Sequence, residues 1–426
     1  MAYVIGIILF AAAILASVSL HEAGHMGTAK AFGMRVTRYF LGFGPTLWSF
    51  RKGETEYGVK AVPLGGFVKI TGMTEQDEAE EQLDEKDKKR VFWRKPLWQR
   101  TVVLAAGSVV HFILGFIILW IMASFVGAPN PAYADEVVQT SKVTVLDCLS
   151  SDPGGECADD DPESPASAAG LRDGDQIVAI NGRQIAGETC AIDSSSVMPA
   201  TAWDCVVLEI RELEAGEEAE FTVSRDGKTW DVAIAPELNE VPTADGGTQQ
   251  VAQIGISRHV DPTIDSEIVY GPVDGIGGAA SWTGDVAVQI GKAIPKIPQK
   301  IPAVWNSIFG AERDPETPVS VVGASRLGGE MVERDMWPSF FLLLAILNYF
   351  IGVFNLLPLL PMDGGHIAIA WYEKARSGVA RLRKKPDPGR VDYMKLMPLT
   401  YTVIVILIGF TLLLVTADVV NPITLP

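Results

Sequence analysis

Five consecutive residues, His21-Glu22-Ala23-Gly24-His25, carry the densest chemistry in the chain. Histidines at i and i+4 share one face of a helix, so both imidazoles can reach a single metal ion. Zinc lowers the pKa of a bound water from about 15.7 to about 7, which makes a nucleophile without a nucleophilic side chain. Glu22, between the histidines, is placed to take the water's proton and hand it to a leaving amine. A five-residue match arises by chance in many helices. This one closes an uncharged apolar stretch, Ala2–Leu20, where ionisable groups are expensive and a divalent metal supplies their partner.

Two histidines leave a catalytic zinc short of its usual three protein ligands. A distant segment, Asn355-Leu-Leu-Pro-Leu-Leu-Pro-Met-Asp363-Gly-Gly-His366, offers the third. Pro358 and Pro361 break the helix there and free backbone groups, which a membrane tolerates only where they are buried or face water. Asp363 is expected on an irregular turn as the third ligand. His366 competes for that place, with a supporting or bystander role the favoured reading.

Four uncharged stretches must position these groups: Ala2–Leu20, Thr101–Val126 (neutral if His111 is), Met336–Met362 and Leu396–Ala417. Each can cross a bilayer, which takes roughly 20 helical residues at about 1.5 Å each. The first lacks the basic leader of a secretory signal and is expected to be a retained span. Segments 27–100 and 361–398 carry 14 and 8 Lys/Arg, whereas 127–337 carries 13 Lys/Arg against 36 Asp/Glu, a net of −23. The positive-inside rule puts the two short segments in the cytosol and the long one outside. The net charge of the chain, −17 with 48% hydrophobic residues, therefore reads as an acidic outer domain on a neutral membrane core. It argues against nucleic acid as a partner. All four cysteines, Cys148, Cys157, Cys190 and Cys205, lie in the outer segment, where disulfides persist. Of three possible pairings, sequence neighbours (148–157 and 190–205) are the simplest.

The pair of motifs, His21-Glu-Ala-Gly-His25 and Asn355-Leu-Leu-Pro-Leu-Leu-Pro-Met-Asp363-Gly, resembles the site-2 protease family of intramembrane zinc metalloproteases. The order of elements is most similar to its bacterial branch with a PDZ domain, which processes anti-sigma factors and remnant signal peptides. The resemblance implies zinc ligands at His21, His25 and Asp363, a general base at Glu22, and Asn355 binding the substrate backbone or the developing oxyanion. It implies substrates that are single-pass membrane proteins, a plasma-membrane location, and an active site toward the cytosol. Leu41-Gly-Phe-Gly-Pro45 and Val62–Met73 resemble the family's membrane-dipping β-hairpin and loop, and Pro318–Ala324 resembles a segment leading to the third span. One position departs: Ser108 and His111 stand where many members have Pro and Asn. His111 is expected to hydrogen-bond another helix, and no role is carried over to it. A non-proteolytic PDZ scaffold with a structural zinc is the competing reading. Glu22 counts against it, since a structural site needs no base.

Ser164–Gly182 looks like a PDZ core, with Asn181-Gly182 a hairpin turn after the strand Gln176–Ile180. Further strands are expected at Trp203–Ile210, Ala219–Ser224 and Trp230–Ile234, with a turn at Asp226-Gly227. PDZ domains bind peptides by strand addition. The domain could read a new substrate terminus, exclude large substrates by size, or have lost its peptide site. The acidic insert Asp147–Glu163 is expected as a loop, and the run Glu75–Asp87 as a solvated tether. The basic cluster Arg381–Lys385 suits anionic lipid or serves as a topology signal.

The expected fold class is an α-helical polytopic membrane protein, a four-span core with a membrane-dipping β-hairpin, plus an extracytoplasmic α+β PDZ domain. Its divisions are 1–26, first span with the zinc motif; 27–100, cytosolic segment with hairpin and tether; 101–126, second span; and 136–240, PDZ domain. There follow 241–335, an interfacial gating region; 336–366, third span; 367–395, cytosolic basic loop; and 396–420, fourth span.

Overall fold

The computed structural model describes residues 1–73, 84–149, 157, 161–185, 201–242, 248–311 and 313–425. Cys190, most of the run Glu75–Asp87 and part of the insert Asp147–Glu163 lie outside them. The chain divides into two compact units, Met1–Gly127 with Val269–Pro426, and Ala128–Ile268.

In the first unit, helix α1 (Ala2–Ala31) runs without interruption through the histidine motif. Strands β1 (Val36–Lys52) and β2 (Thr55–Ile70) follow, joined by a turn at Gly53. They are too long for a flat ribbon, and glycines with positive φ at 42, 44 and 65 bend them. As a result Val36–Leu41 pairs with both halves of β2, Glu56–Val59 on one side and Gly66–Ile70 on the other. Arg90 ties the turn down, with its Nη2 2.6 Å from Glu54 Oε1 and its Nη1 2.8 Å from Oε2. Helix α2 (Leu97–Ile121) ends in a π-helical turn, Met122–Val126.

The second unit is an α+β layer. Strand β3 (Gln176–Ile180) turns at Asn181-Gly182, both with positive φ, into the short strand Arg183–Gln184. Helix α3 (Ala202–Arg211) follows, then β4 (Ala219–Arg225) and β5 (Lys228–Ile234) around the turn Asp226-Gly227. The sheet is antiparallel in the order 183–184, β3, β4, β5. Ile177, Ile180, Phe221, Val223 and Ile234 from the sheet form the core with Val206 and Ile210. Segment Trp203–Ile210, expected as a strand, is therefore helical. Thr201 Oγ1 accepts from Asp204 N while the Asp204 carboxylate accepts from Thr201 N, a capping box that starts the helix. Val206 and Ile210, four apart, then share its buried face. Cys148 and Cys157 are disulfide-bonded, as the neighbour pairing expects, and Cys205 is bonded as well.

The first unit resumes with α4 (Gly271–Ala293), α5 (Ile297–Ile308) and α6 (Val321–Glu333). Next come α7 (Trp337–Asn355), α8 (Asp363–Leu382) and α9 (Tyr393–Val420). Helices α1, α2, α7 and α9 are long and apolar enough to cross a membrane. Exposed Ile8, Ile113, Val405 and Leu412 give them apolar outer faces. Where all surfaces are apolar, helices associate through close packing of small residues. A Cβ at Gly6 would lie 2.8 Å from Val332 Cβ, and one at Gly328 would lie 2.7 Å from the Phe10 ring. The α1–α6 contact thus depends on residues without side chains.

Candidate metal centre

Helical spacing turns His21 and His25 to the same side of α1, and both are buried at 7% exposure. Their Nε2 atoms are 3.1 Å apart. The Val103 carbonyl on α2 lies 2.7 Å from His25 Nδ1. A carbonyl only accepts, so Nδ1 carries the hydrogen and Nε2 is left as a bare donor atom for a metal.

Asp363 reaches the pair from α7's far end. Helix α7 stops at Asn355, before Pro358 and Pro361, and the chain turns back so that Asp363 opens α8. Asp363 is the first residue of a helix, where an irregular turn was expected. The two glycines after it explain the tight return. A Cβ at Gly364 would lie 2.2 Å from the Leu356 carbonyl oxygen, and one at Gly365 would lie 2.7 Å from the Leu360 nitrogen. Asp363 Oδ2 ends 3.5 Å from His21 Nε2 and 3.3 Å from His25 Nε2.

The three atoms form a triangle with sides of 3.1, 3.3 and 3.5 Å. Tetrahedral zinc with ligands at about 2.0–2.1 Å has ligand–ligand edges of about 3.3–3.4 Å. The residues therefore fit zinc in donor type, number and spacing. Among the described residues no other such group of His, Cys, Asp and Glu occurs. His366 stays out of the triangle and stacks on Tyr393, with ring centroids 5.8 Å apart.

Glu22 and Asn355 line the same cavity of about 250 Å³ as the triangle, with Phe67, Val68, Met73, Val103 and Pro361. Strand β2 crosses close to the acid: a Cβ at Gly66 would lie 3.2 Å from Glu22 Cγ. Helix α2 crosses close to the histidines, and a Cβ at Gly107 would lie 2.5 Å from His25 Nε2. His111 does hydrogen-bond another helix, with Nδ1 3.0 Å from Asn348 Oδ1 on α7. Asn348 escaped the sequence reading. The signal was there, since only it and Tyr349 carry a polar group between Phe340 and Phe354. The carbonyl of Val103 left no signal, because every residue has one.

Residues 9–397 match peptidase family M50. Over 431 residues, covering all of both chains, the sequence is 40% identical to zinc metalloprotease Rip1 of Mycolicibacterium smegmatis. It is also 40% identical, again over both full lengths, to zinc metalloprotease Rip1 of Mycobacterium tuberculosis. With the family matched across nine-tenths of its length and the two motifs folded against each other, the chain belongs to peptidase family M50, the site-2 proteases.

Proposed function

We propose that the protein is an intramembrane zinc endopeptidase that cuts the transmembrane segments of single-pass membrane proteins. Anti-sigma factors already cut outside the membrane are the proposed substrates, with remnant signal peptides a second class. The observation that carries this reading is the shared cavity: three metal-ligand atoms, a carboxylate and an amide converge beside a helix long and apolar enough to cross a membrane.

His21, His25 and Asp363 would hold the zinc. When bound, zinc supplies Lewis-acid activation of water and of a peptide carbonyl. Glu22 accepts the proton of the attacking water and returns it to the leaving amine. Asn355 donates its amide N–H groups to the substrate backbone or to the oxygen that gains charge. A substrate helix hides its peptide groups in internal hydrogen bonds, so it must unwind first. The Gly66–Ile70 half of β2 borders Glu22 and offers backbone partners to the unwound strand. Phe43, Leu47, Trp48 and Phe50, all exposed on the hairpin, suit a position dipping into lipid. The positive-inside balance puts this site toward the cytosol and the 128–268 unit outside. There the unit acts as a PDZ domain that reads a trimmed terminus or excludes bulky substrates.

The test is co-expression of a tagged single-pass substrate lacking its outer domain with wild type or Glu22→Gln. Cleavage by wild type alone is the expected result, and equal cleavage by both sinks the mechanism.

A further inference from the structure

A second buried polar cluster lies beside His21, away from the metal triangle. His111, one turn beyond Gly107 on α2, is 1% exposed, and its ring centroid lies 5.0 Å from that of His21. Asn348, also 1% exposed, meets His111 Nδ1 through Oδ1 and donates from Nδ2 to the Leu344 carbonyl at 2.8 Å. The second contact orients the first. A carbonyl accepts only, so Nδ2 faces Leu344 and Oδ1 must face His111. Oδ1 cannot donate, so His111 Nδ1 carries the hydrogen, and Nε2 of the neutral ring is a bare acceptor.

His21 presents the complementary half. Its Nε2 points to Asp363 and His25, so as a metal ligand its ring must carry its hydrogen on Nδ1. That Nδ1 is buried and has no hydrogen-bond partner, whereas His25 Nδ1 has the Val103 carbonyl. This hydrogen bond is not made in the structure, but a ring separation of 5.0 Å is short enough for one of about 2.9 Å between the two edges once they face each other. We propose that His111 is a positioning residue for His21: its Nε2 is the acceptor that fixes His21 Nδ1–H, and Asn348 holds His111 in the tautomer that can accept. The inference rests on the zinc reading in taking His21 Nε2 as a ligand. Ser108, three residues before His111, is the rival acceptor, because its Oγ is also buried and unpartnered.

The test uses the purified full-length protein and two readouts that need no substrate. These are zinc affinity by chelator competition and the visible spectrum of the cobalt-substituted form. Wild type binding one zinc that His21→Ala loses is the control for the zinc reading itself; if wild type binds none, both ideas fall. His111→Phe should weaken zinc about 10- to 100-fold, the usual effect of removing a ligand's hydrogen-bond partner, and shift the cobalt bands. His111→Gln, whose side-chain oxygen accepts, should restore most of the affinity. Asn348→Leu should weaken zinc in the same direction, and Ser108→Ala should leave it unchanged. Wild-type affinity in His111→Phe overturns the proposal. So does equal weakening by Phe and Gln, which marks a packing role, or weakening by Ser108→Ala alone. If His111→Phe does not fold, Asn348→Leu decides: unchanged affinity overturns the idea, and weakened affinity at an unchanged melting temperature supports it.

Discussion

A methyl group at Gly107 would stand 2.4 Å from Cε1 and 2.6 Å from Nδ1 of His21, so α2 reaches the histidine pair only because position 107 has no side chain. Glycine inside a helix costs about 1 kcal/mol relative to alanine. That cost is offset by letting the Val103 carbonyl, one turn earlier, approach His25. A residue that weakens its own helix thus sets the orientation of a proposed metal ligand on another.

Gly107→Ala should therefore damage the site more than the fold. The extra methyl meets two imidazoles, and overpacking costs typically about 1–3 kcal/mol. The expected outcome is a folded protein with reduced zinc content and little cleavage. Metal analysis beside a melting curve checks it; wild-type zinc content would mean that the helices separate at no cost to the ligands.

Removing ligands should separate binding from proton transfer. His21→Ala, His25→Ala and Asp363→Ala each remove one corner of the triangle and should release zinc, with cleavage lost in parallel. Glu22→Gln removes no corner and should keep near-stoichiometric zinc while losing cleavage. Elemental analysis of the four variants decides, and a zinc-free Glu22→Gln would place that residue among the ligands.

The site was legible in the sequence to the extent that its chemistry is local. His21, Glu22 and His25 occupy five residues, and the cost of ionisable groups in an apolar stretch marks them without further context. Asp363 needed only the ligand count and the interrupted helix before it. The partners that orient them were legible only in part. His111 reads as a residue that bonds another helix, but its partner Asn348 lies 237 residues away and meets it only because α2 and α7 pack together. Local pattern also misled at Trp203–Ile210. Val206, Val207 and Ile210 favour a strand by type, yet the Thr201–Asp204 capping box starts a helix that buries Val206 and Ile210. The bends of β1 and β2 were marked only by glycines, whose sign of φ no sequence states.

Arg313 and Asp418 form a buried pair that should behave differently when halved and when removed whole. Asp418 Oδ1 accepts from Arg313 Nη2 at 3.0 Å and Oδ2 accepts from Ser320 N at 2.6 Å, where Ser320 caps α6. Both side chains are nearly inaccessible, at 3% and 1%. Truncating one partner leaves an uncompensated buried charge, and Asp418→Ala should cost about 3–5 kcal/mol. The double variant Arg313→Leu with Asp418→Leu should cost clearly less than the two single changes together. Denaturant melts of all three measure the coupling, and simple additivity would show the pair to be independent.

Asp175 should make the 128–268 unit sensitive to acid. Burial works to raise its carboxyl, but Arg225, with Nη2 2.6 Å from Oδ2, and the Arg172 N–H at 2.8 Å outweigh it and hold the group below the usual carboxylate range. A carboxyl whose pKa is lower folded than unfolded contributes stability above the unfolded value of about 3.9. That contribution fades as the pH falls through the folded value. Wild type should therefore lose protection against hydrogen exchange in β4 and β5 between about pH 4 and the lower folded value. Asp175→Asn should be less protected at pH 7 and should lack that component of the decline, so the two curves converge in acid. Exchange corrected for its intrinsic pH dependence measures the difference. An Asn variant that follows wild type at every pH would show that the ion pair contributes nothing to the stability of the unit.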